Sequence, residues 1–207
     1  MAERRALGVV LAGGRGLRLS GRKGMAMLAG RPLLDYPVRA MLAADLDVAV
    51  VAKRESRLQV PSGVTRLDEP DEPHHPLVGI LHAVDALAGA VVVCAGDMPF
   101  VTPDLLRWLA AAEGSDAVVL SVGGRLQPLL GRYGPTQAEA MREAIVQERS
   151  MGWFVGQLGA ACRVMSDEEL SGFGNPRRLT MDIDTPEQLA EAERYLDGTD
   201  VAPSSKL

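Results

Sequence analysis

Short apolar runs alternate along the chain with segments of helical periodicity. The runs are rich in valine and do not alternate strictly between apolar and polar residues. Such runs are typical of strands that are buried on both faces of a mostly parallel sheet. The predicted strands cover residues 7–12, 47–52, 90–95, 116–120, 162–165 and 178–183.

Helical signals lie between these runs. Residues 33–44 have helical apolar spacing but contain Pro37, so this helix is expected either to bend or to begin late. A second helix is predicted over residues 77–87. Side-chain caps predict where three further helices begin. These caps are Thr102 before Pro103, Thr136 with Glu139, and Thr185 with Gln188.

The alternation of strands and helices predicts a single three-layer, doubly wound α/β domain with a mostly parallel sheet. In this architecture ligands bind at the carboxyl ends of the strands, near the point where the strand order reverses. We expect the domain to span residues 1–196 and the polar residues 197–207 to form a disordered tail.

Composition narrows the class of protein. The chain has 207 residues with 47% hydrophobic content, which suffices for a buried core, and its net charge of −5 argues against binding to bulk nucleic acid. No apolar run approaches the roughly 18 residues of a membrane span. These features predict a cytoplasmic protein. The final residues, Ser205-Lys206-Leu207, either form part of the polar tail or act as a peroxisomal address.

The segment after the first predicted strand concentrates glycine and positive charge. It lacks the third glycine of a dinucleotide-binding fingerprint, because Leu19 stands there, and Lys23 is not followed by the hydroxyl residue of a P-loop. Glycines at positions 13 and 14 still let backbone N–H groups approach a ligand closely. The cations suit a triphosphate, and they are Arg15, Arg18, Arg22 and Lys23.

Carboxylates follow two of the other predicted strands. Asp97 comes directly after residues 90–95, at a strand's carboxyl end, and Pro99 prevents the strand from continuing. Mg²⁺ takes one or two carboxylates together with substrate phosphates, so Asp97 is a candidate ligand. Asp182 and Asp184 flank Ile183 and would point to the same face of a strand. Asp182 is the candidate second ligand, whereas Asp184 is expected to cap or brace the helix that follows.

Taken in order, these segments resemble the motifs of the molybdenum cofactor guanylyltransferases, which are MobA-like small-molecule nucleotidyltransferases, and of their cytidylyl relatives. The first motif matches at Leu11, Ala12, Gly13, Gly14, Arg18, Lys23, Gly30, Pro32 and Leu33. It departs from the family pattern at Leu19, Ser20 and Arg22. Four later segments resemble family motifs, around residues 68–80, 96–100, 125–129 and 182–186.

The resemblance implies a fold and a set of site residues. The fold would be that of the nucleotide-diphospho-sugar transferases, which is Rossmann-like. The implied catalytic residues are Arg18, Lys23 and Asp97, and the implied metal ligands are Asp97 and Asp182. The implied nucleotide-binding residues are Leu11, Ala12, Gly13, Gly14, Lys23, Lys53, Asp68 and Asp97. Arg125, Gln127 and Pro128 would border the second substrate.

The resemblance also implies a reaction, namely Mg²⁺-dependent transfer of GMP from GTP to the phosphate of molybdopterin with release of pyrophosphate. Cofactor-delivery or acceptor proteins would be its partners, with no nucleic acid and no membrane. Lys53 stands where the family has asparagine, and lysine can only donate hydrogen bonds. Cytidylyl transfer from CTP, or transfer to another phosphorylated metabolite, is therefore an alternative. A nucleotide-binding homologue without turnover is a further alternative, which the presence of Lys23 and Asp97 disfavours.

Overall fold

The computed structural model describes residues 7–12, 26–56, 58–112 and 117–198. Several of the predicted site residues lie outside these ranges, and so does most of the predicted tail. The site residues concerned are Gly13, Gly14, Arg18 and Lys23.

Nine strands occur in the described residues, and most of them form one mixed sheet. The strands are β1 (Leu7–Leu11), β2 (Met27–Leu28), β3 (Arg31–Pro32), β4 (Asp47–Lys53), β5 (Thr65–Glu69), β6 (Val91–Ala95), β7 (Ala117–Val122), β8 (Arg125–Tyr133) and β9 (Cys162–Met165). The seven-stranded sheet has the order β5-β4-β1-β6-β8-β7-β9. Only β8 is antiparallel to its neighbours, while β2 and β3 form a separate hairpin.

Helices cover both faces of the sheet. They are α1 (Asp35–Ala43), α2 (Pro76–Leu87), α3 (Pro103–Ala111), α4 (Ala138–Val146), α5 (Met151–Leu158), α6 (Asp167–Leu170), α7 (Pro176–Leu179) and α8 (Pro186–Leu196). Neighbouring residues of β1 show the layering, since Val10 packs with side chains of α1 and α3, whereas Val9 packs with those of α2, α4 and α5. The predicted three-layer doubly wound fold is therefore confirmed.

The strand order reverses between β1 and β6. From β1 the chain proceeds to β4 and β5 on one side of the sheet and then crosses to β6 on the other side. Doubly wound proteins bind ligands at such a point, outside the carboxyl ends of the two strands, which here are β1 and β6. The carboxyl ends of β4 and β5 border the same edge.

Most of the predicted helix starts are confirmed. Helix α1 begins late, so that Pro37 lies in its first turn, where no intrahelical N–H is needed. The caps at Thr102 and Thr185 are present. The predicted capping box of Thr136 with Glu139 is wrong. A 3₁₀ turn over Pro135–Gln137 precedes α4 instead, and the Gln137 Oε1 atom accepts the Gly134 N–H at 2.8 Å.

The predicted strand over residues 178–183 is also wrong. Asn175 accepts the Arg178 N–H and Pro176 occupies the first helical position, so the chain forms the short helix α7 there. Residues 181–184 then follow without regular secondary structure. The alternation that would place Asp182 and Asp184 on one strand face is therefore absent.

Two strands of the seven-stranded sheet were not predicted from the sequence. Strand β5 lies at the edge of the sheet and buries little of its length, so it lacks a continuous apolar run. Strand β8 contains Pro128, which lacks a backbone N–H group. The register between β7 and β8 shifts from Val119↔Gly131 to Leu120↔Gln127, and Pro128 falls within this irregularity. A bulge tolerates proline because the ladder is interrupted there.

Candidate active site

Asp97 lies directly beyond the end of β6, at the point where the strand order reverses. The preceding Gly96 donates its N–H to the Leu11 carbonyl oxygen at 3.0 Å, so this turn is attached to the end of β1. A Cβ atom at Gly96 would lie 3.2 Å from that same oxygen and 3.0 Å from Leu34 Cδ1. Glycine is therefore required for this close approach. The turn leaves Asp97 with only 8% of its surface exposed.

Asp182 reaches the same place through a main-chain contact. The Ile183 N–H donates to the Asp97 carbonyl oxygen at 3.0 Å, and the Ile183 side chain is fully buried against Leu28 and Leu33. Asp182 itself is exposed. The fold thus brings together the backbones of the two predicted metal ligands, although the route is an irregular segment rather than a strand.

The neighbouring Asp184 takes part in the start of α8. Its N–H donates to Gln188 Oε1 at 2.8 Å, and the N–H of Thr185 donates to the same oxygen at 2.9 Å. The Thr185 hydroxyl in turn accepts the Gln188 N–H at 3.2 Å. These contacts attach the main chain at Asp184 to the start of α8, whose N-cap side chain is that of Thr185.

The donor set fits a magnesium ion that is shared with substrate phosphates. Mg²⁺ is usually bound by one or two carboxylates plus phosphates and keeps several waters. Within the part of the chain that the structure describes, no group of three or more His, Cys, Asp or Glu side chains could hold a metal by itself. Asp97 and Asp182 would therefore hold such an ion only together with a bound nucleotide. The metal assignment stays a prediction.

The histidine pair beside this edge has other partners. His75 caps α2, because its Nδ1 atom accepts the Leu77 N–H at 3.1 Å. His74 lies 3.1 Å from a carboxylate oxygen of Glu72. Neither contact involves Asp97 or Asp182.

The last residues of β1 lie at the same edge. The Leu11 carbonyl accepts the Gly96 N–H, and the Ala12 N–H donates to the Val51 carbonyl oxygen at 2.8 Å. These two residues are therefore fixed between β4 and β6. On the other side of residues 13–25, Ala26 packs with Ile183 in the small cluster beside Asp97. The predicted nucleotide contacts of Leu11 and Ala12 stay predictions.

The predicted second-substrate residues lie at the amino end of β8. Because β8 is antiparallel to β6, its amino end and the carboxyl end of β6 meet at one edge. The last pair between these strands is Cys94↔Leu130, so the preceding residues of β8 extend beyond β6 towards the Asp97 turn. Arg125 is exposed there, and Gln127 and Pro128 are half-buried. Their placement suits the predicted role, which stays a prediction.

Lys53 is held by protein groups. Its Nζ atom donates to the Pro70 carbonyl oxygen at 2.6 Å and lies 3.5 Å from Glu69 Oε1. Lys53 and Glu69 are only 7% and 4% exposed. Burial raises the pKa of Glu69, an effect that the nearby Lys53 ammonium counteracts. The predicted contact between Lys53 and a nucleotide stays a prediction.

Asp68 is paired with a neighbouring arginine. The Arg66 Nε atom donates to Asp68 Oδ1 at 2.8 Å, and the Asp68 side chain is 44% exposed. Asp68 lies at the carboxyl half of β5, so its position at the ligand-binding edge agrees with the expectation. Its role in nucleotide binding stays a prediction.

A cation–aromatic contact near Asp97 was not predicted from the sequence. The Arg178 guanidinium lies over Phe100, 4.8 Å from the ring centroid, and over Tyr195 at 5.0 Å. It thereby joins the segment after Asp97 to α7 and α8. The sequence marks Phe100 as part of the candidate site, because it ends the Gly-Asp-Met-Pro-Phe motif, but nothing in the sequence indicates which residues it contacts.

Cys94 lies close to Asp97 but is chemically silent. Burial, with a smaller contribution from the negative charge of Asp97, raises the pKa of its thiol well above the usual range. The group therefore stays protonated at neutral pH and acts as a small apolar side chain.

The strand order and the carboxylates at its reversal point define an α/β protein with a candidate ligand site at the carboxyl ends of its strands. In the residues that the structure describes, no helix is long and apolar enough to cross a membrane.

Comparison with known proteins identifies the class more closely. Residues 8–160 match the family model of the MobA-like NTP transferase domain. The chain therefore belongs to this family and is a nucleotidyltransferase. A molybdenum cofactor guanylyltransferase of Cereibacter sphaeroides is 33% identical over 201 residues, covering 93% of this chain and 97% of that one. A molybdenum cofactor guanylyltransferase of Pseudomonas putida is 33% identical over 183 residues, covering 83% and 94%.

A solved structure shows the same similarity in three dimensions. It is that of molybdopterin-guanine dinucleotide biosynthesis protein A from Archaeoglobus fulgidus, with a TM-score of 0.78 and 25% sequence identity. The match covers 93% of this chain and 99% of the other. The sequence-based resemblance is therefore confirmed at the level of family and fold.

Proposed function

We propose that this nucleotidyltransferase transfers GMP from GTP to the terminal phosphate of molybdopterin and releases pyrophosphate. The observation that carries the proposal is the position of Asp97, a carboxylate fixed at the carboxyl end of β6 where the strand order reverses. The names of the two curated relatives support the choice of donor and acceptor. The two substrates would meet at this edge in the cytoplasm.

The reaction is a displacement at phosphorus. An oxygen of the acceptor phosphate forms a bond to the α-phosphorus of the nucleotide, and the bond from that phosphorus to the bridging α–β oxygen breaks. The electron pair leaves with pyrophosphate. No general base is required, because the acceptor phosphate is already ionised at neutral pH. Catalysis then depends on positioning and on electrostatic stabilisation.

Each set of residues has a distinct part in this reaction. Arg18 and Lys23 would neutralise negative charge on the leaving pyrophosphate. Asp97 and Asp182 would hold Mg²⁺, which when bound would offset charge on the α-phosphate. On the acceptor side, the amino end of β8 would orient the phosphorylated substrate. Its residues there are Arg125, Gln127 and Pro128.

Cytidylyl transfer is the second candidate, and two observations favour it. The segment Asp182-Ile183-Asp184 is of the form more common in the cytidylyl relatives, and Lys53 replaces the asparagine of the guanylyl pattern. Moreover, the Lys53 ammonium contacts Glu69 and Pro70, so it does not reproduce the donor and acceptor pair of an asparagine amide.

The experiment that tests the proposal measures pyrophosphate release from each of the four nucleoside triphosphates, with Mg²⁺ and molybdopterin. Release with GTP that depends on molybdopterin supports guanylyl transfer. Release with CTP alone supports the second candidate. If no triphosphate yields pyrophosphate with molybdopterin, while another phosphorylated metabolite restores the release, the acceptor in the proposal is wrong.

A further inference from the structure

Lys53 and Glu69 are the last residues of two adjacent parallel strands. They are direct cross-strand partners at the ends of β4 and β5, at the edge where the nucleotide is proposed to bind. The Lys53 Nζ atom lies 3.5 Å from Glu69 Oε1 and donates to the Pro70 carbonyl at 2.6 Å. Both side chains are almost completely buried. A buried charge that loses its partner is strongly destabilising, so each holds the other in place.

The second carboxylate oxygen of Glu69 faces helix α2. A Cβ atom at Gly79 would lie 2.9 Å from Glu69 Oε2 and 3.2 Å from Leu11 Cδ2. The carboxylate therefore fills the space that a side chain at Gly79 would need. Through this contact the pair connects β4 and β5 with the helix that follows residues 70–75.

A second cation fixes the loop that follows β4. The Arg66 guanidinium donates to the main-chain oxygens of Lys53 at 3.1 Å, of Ser56 at 2.9 Å and of Leu58 at 2.6 Å. Residues 70–75 start at the carbonyl that Lys53 binds and end at the His75 cap of α2. Both loops that leave this part of the edge are thus attached to cations of β4 and β5.

We infer that Lys53 is a positioning residue for nucleotide recognition, acting through Glu69 and the Pro70 carbonyl rather than by contact with the base. The Lys53 ammonium group already contacts these two partners inside the protein, the Glu69 carboxylate and the Pro70 carbonyl oxygen. Base selection then belongs to groups on the loops over residues 54–56 and 70–75, and Lys53 positions the second of these loops while Arg66 positions the first. This inference rests on the proposed function, since it assumes that the nucleotide lies at this edge.

The test is a double-mutant cycle of Lys53→Met and Glu69→Gln, with kcat and KM measured for GTP and for CTP. We expect Lys53→Met to raise the KM of the preferred nucleotide about tenfold, equivalent to about 1.4 kcal/mol, and to lower the preference between the two nucleotides. Glu69→Gln should raise KM in the same direction. In the double variant the factors should not multiply, because both substitutions break the same contact. The kcat should change by less than about twofold, since the loops do not touch the reacting atoms.

Two safeguards keep the test decisive. If Lys53→Met alone fails to fold, because it leaves a buried carboxylate unpaired, the double variant removes that charge and is compared with Glu69→Gln. The matched control is Arg142→Met, which breaks an exposed ion pair with Asp85 on helices α4 and α2 and should change neither KM nor nucleotide preference.

Three results would overturn the inference. In the first, Glu69→Gln leaves KM unchanged, and Lys53→Met raises KM by the same factor whether residue 69 is Glu or Gln. That result would indicate direct contact between Lys53 and the nucleotide. The second is that both variants lower only the active fraction, at constant KM and preference. The third is that the wild type binds no fluorescent guanine or cytosine nucleotide. If the wild type binds nucleotide but does not turn over, the proposed function fails, and the same cycle on the dissociation constants still tests Lys53.

Discussion

Gly96→Ala tests how closely the Asp97 turn must approach β1. The added Cβ would lie 3.0 Å from Leu34 Cδ1, which can rotate away, and 3.2 Å from the Leu11 carbonyl oxygen, which cannot. That oxygen also accepts the Gly96 N–H at 3.0 Å, so relief requires the turn to move by a few tenths of an ångström. Such overpacking costs about 1–3 kcal/mol of folding free energy.

The effect on activity follows from the same displacement. A misplacement of about 1 Å at a reacting centre costs about a hundredfold in rate, so a few tenths of an ångström at Asp97 correspond to about threefold to tenfold in kcat/KM. Thermal unfolding should shift down by about 2–4 °C for each kcal/mol. Pyrophosphate release and a thermal melt measure the two effects on the same sample.

Gly89→Ala is the matched control for this substitution. Gly89 precedes the amino end of β6, and a Cβ there would meet its nearest atoms at 3.8 Å, an ordinary contact. We expect wild-type activity and melting temperature for this variant. The reasoning is refuted if Gly96→Ala also matches the wild type in both measurements, or if both alanine variants lose activity equally.

Three further outcomes are expected. Lys23→Ala should raise the nucleotide KM and lower kcat in steady-state kinetics, because its charge would act on the triphosphate and on the leaving group; unchanged constants would remove this segment from the site. Burial raises the folded-state pKa of Glu69 above its ordinary value of 4.5, so its contribution to stability is full below pH 4.5 and is lost as pH rises through the folded pKa. The melting temperature of Glu69→Gln relative to that of wild type should therefore increase as the pH rises through the folded-state pKa of Glu69. A difference in melting temperature that stays constant over the pH series would contradict the raised pKa. Gly156→Ala in α5, where a Cβ would meet no atom within 4 Å, should stabilise the protein by about 0.5–1 kcal/mol in denaturant unfolding, and a loss of stability would contradict the open space at this site.

The sequence predicted the parts of the fold that local patterns determine. The buried parallel strands read as valine-rich runs because both of their faces are covered, and Thr102 and Thr185 identify helix starts because a cap is a contact within one turn. Strand β5 lies at an edge, so burial gives it no continuous apolar run. The apolar pattern of residues 178–183 predicted a strand, but the first of these residues belong to α7. The Asn175 cap and Pro176 start a helix there, and these local signals prevail over the apolar pattern.

The features of the candidate site are likewise of two kinds, local ones that the sequence predicts and long-range contacts that it does not. The position of Asp97 followed from a strand end, which is a local feature. The approach of Asp182 to Asp97 depends on a main-chain bond from Ile183 that joins distant segments, and the same holds for the stacking of Arg178 on Phe100. Lys53 shows the difference most clearly. Its departure from the family pattern is visible in the sequence, whereas its partners Glu69 and Pro70 appear only in three dimensions.

The central claim is that Asp97 holds the reacting end of the nucleotide. Its most direct test is molybdopterin-dependent pyrophosphate release by Asp97→Asn, compared with Asp85→Asn, which removes an exposed carboxylate on α2. We expect Asp97→Asn to lose at least about a hundredfold in kcat at an unchanged melting temperature and Asp85→Asn to keep wild-type turnover. Wild-type turnover by Asp97→Asn with Mg²⁺ present would contradict the account.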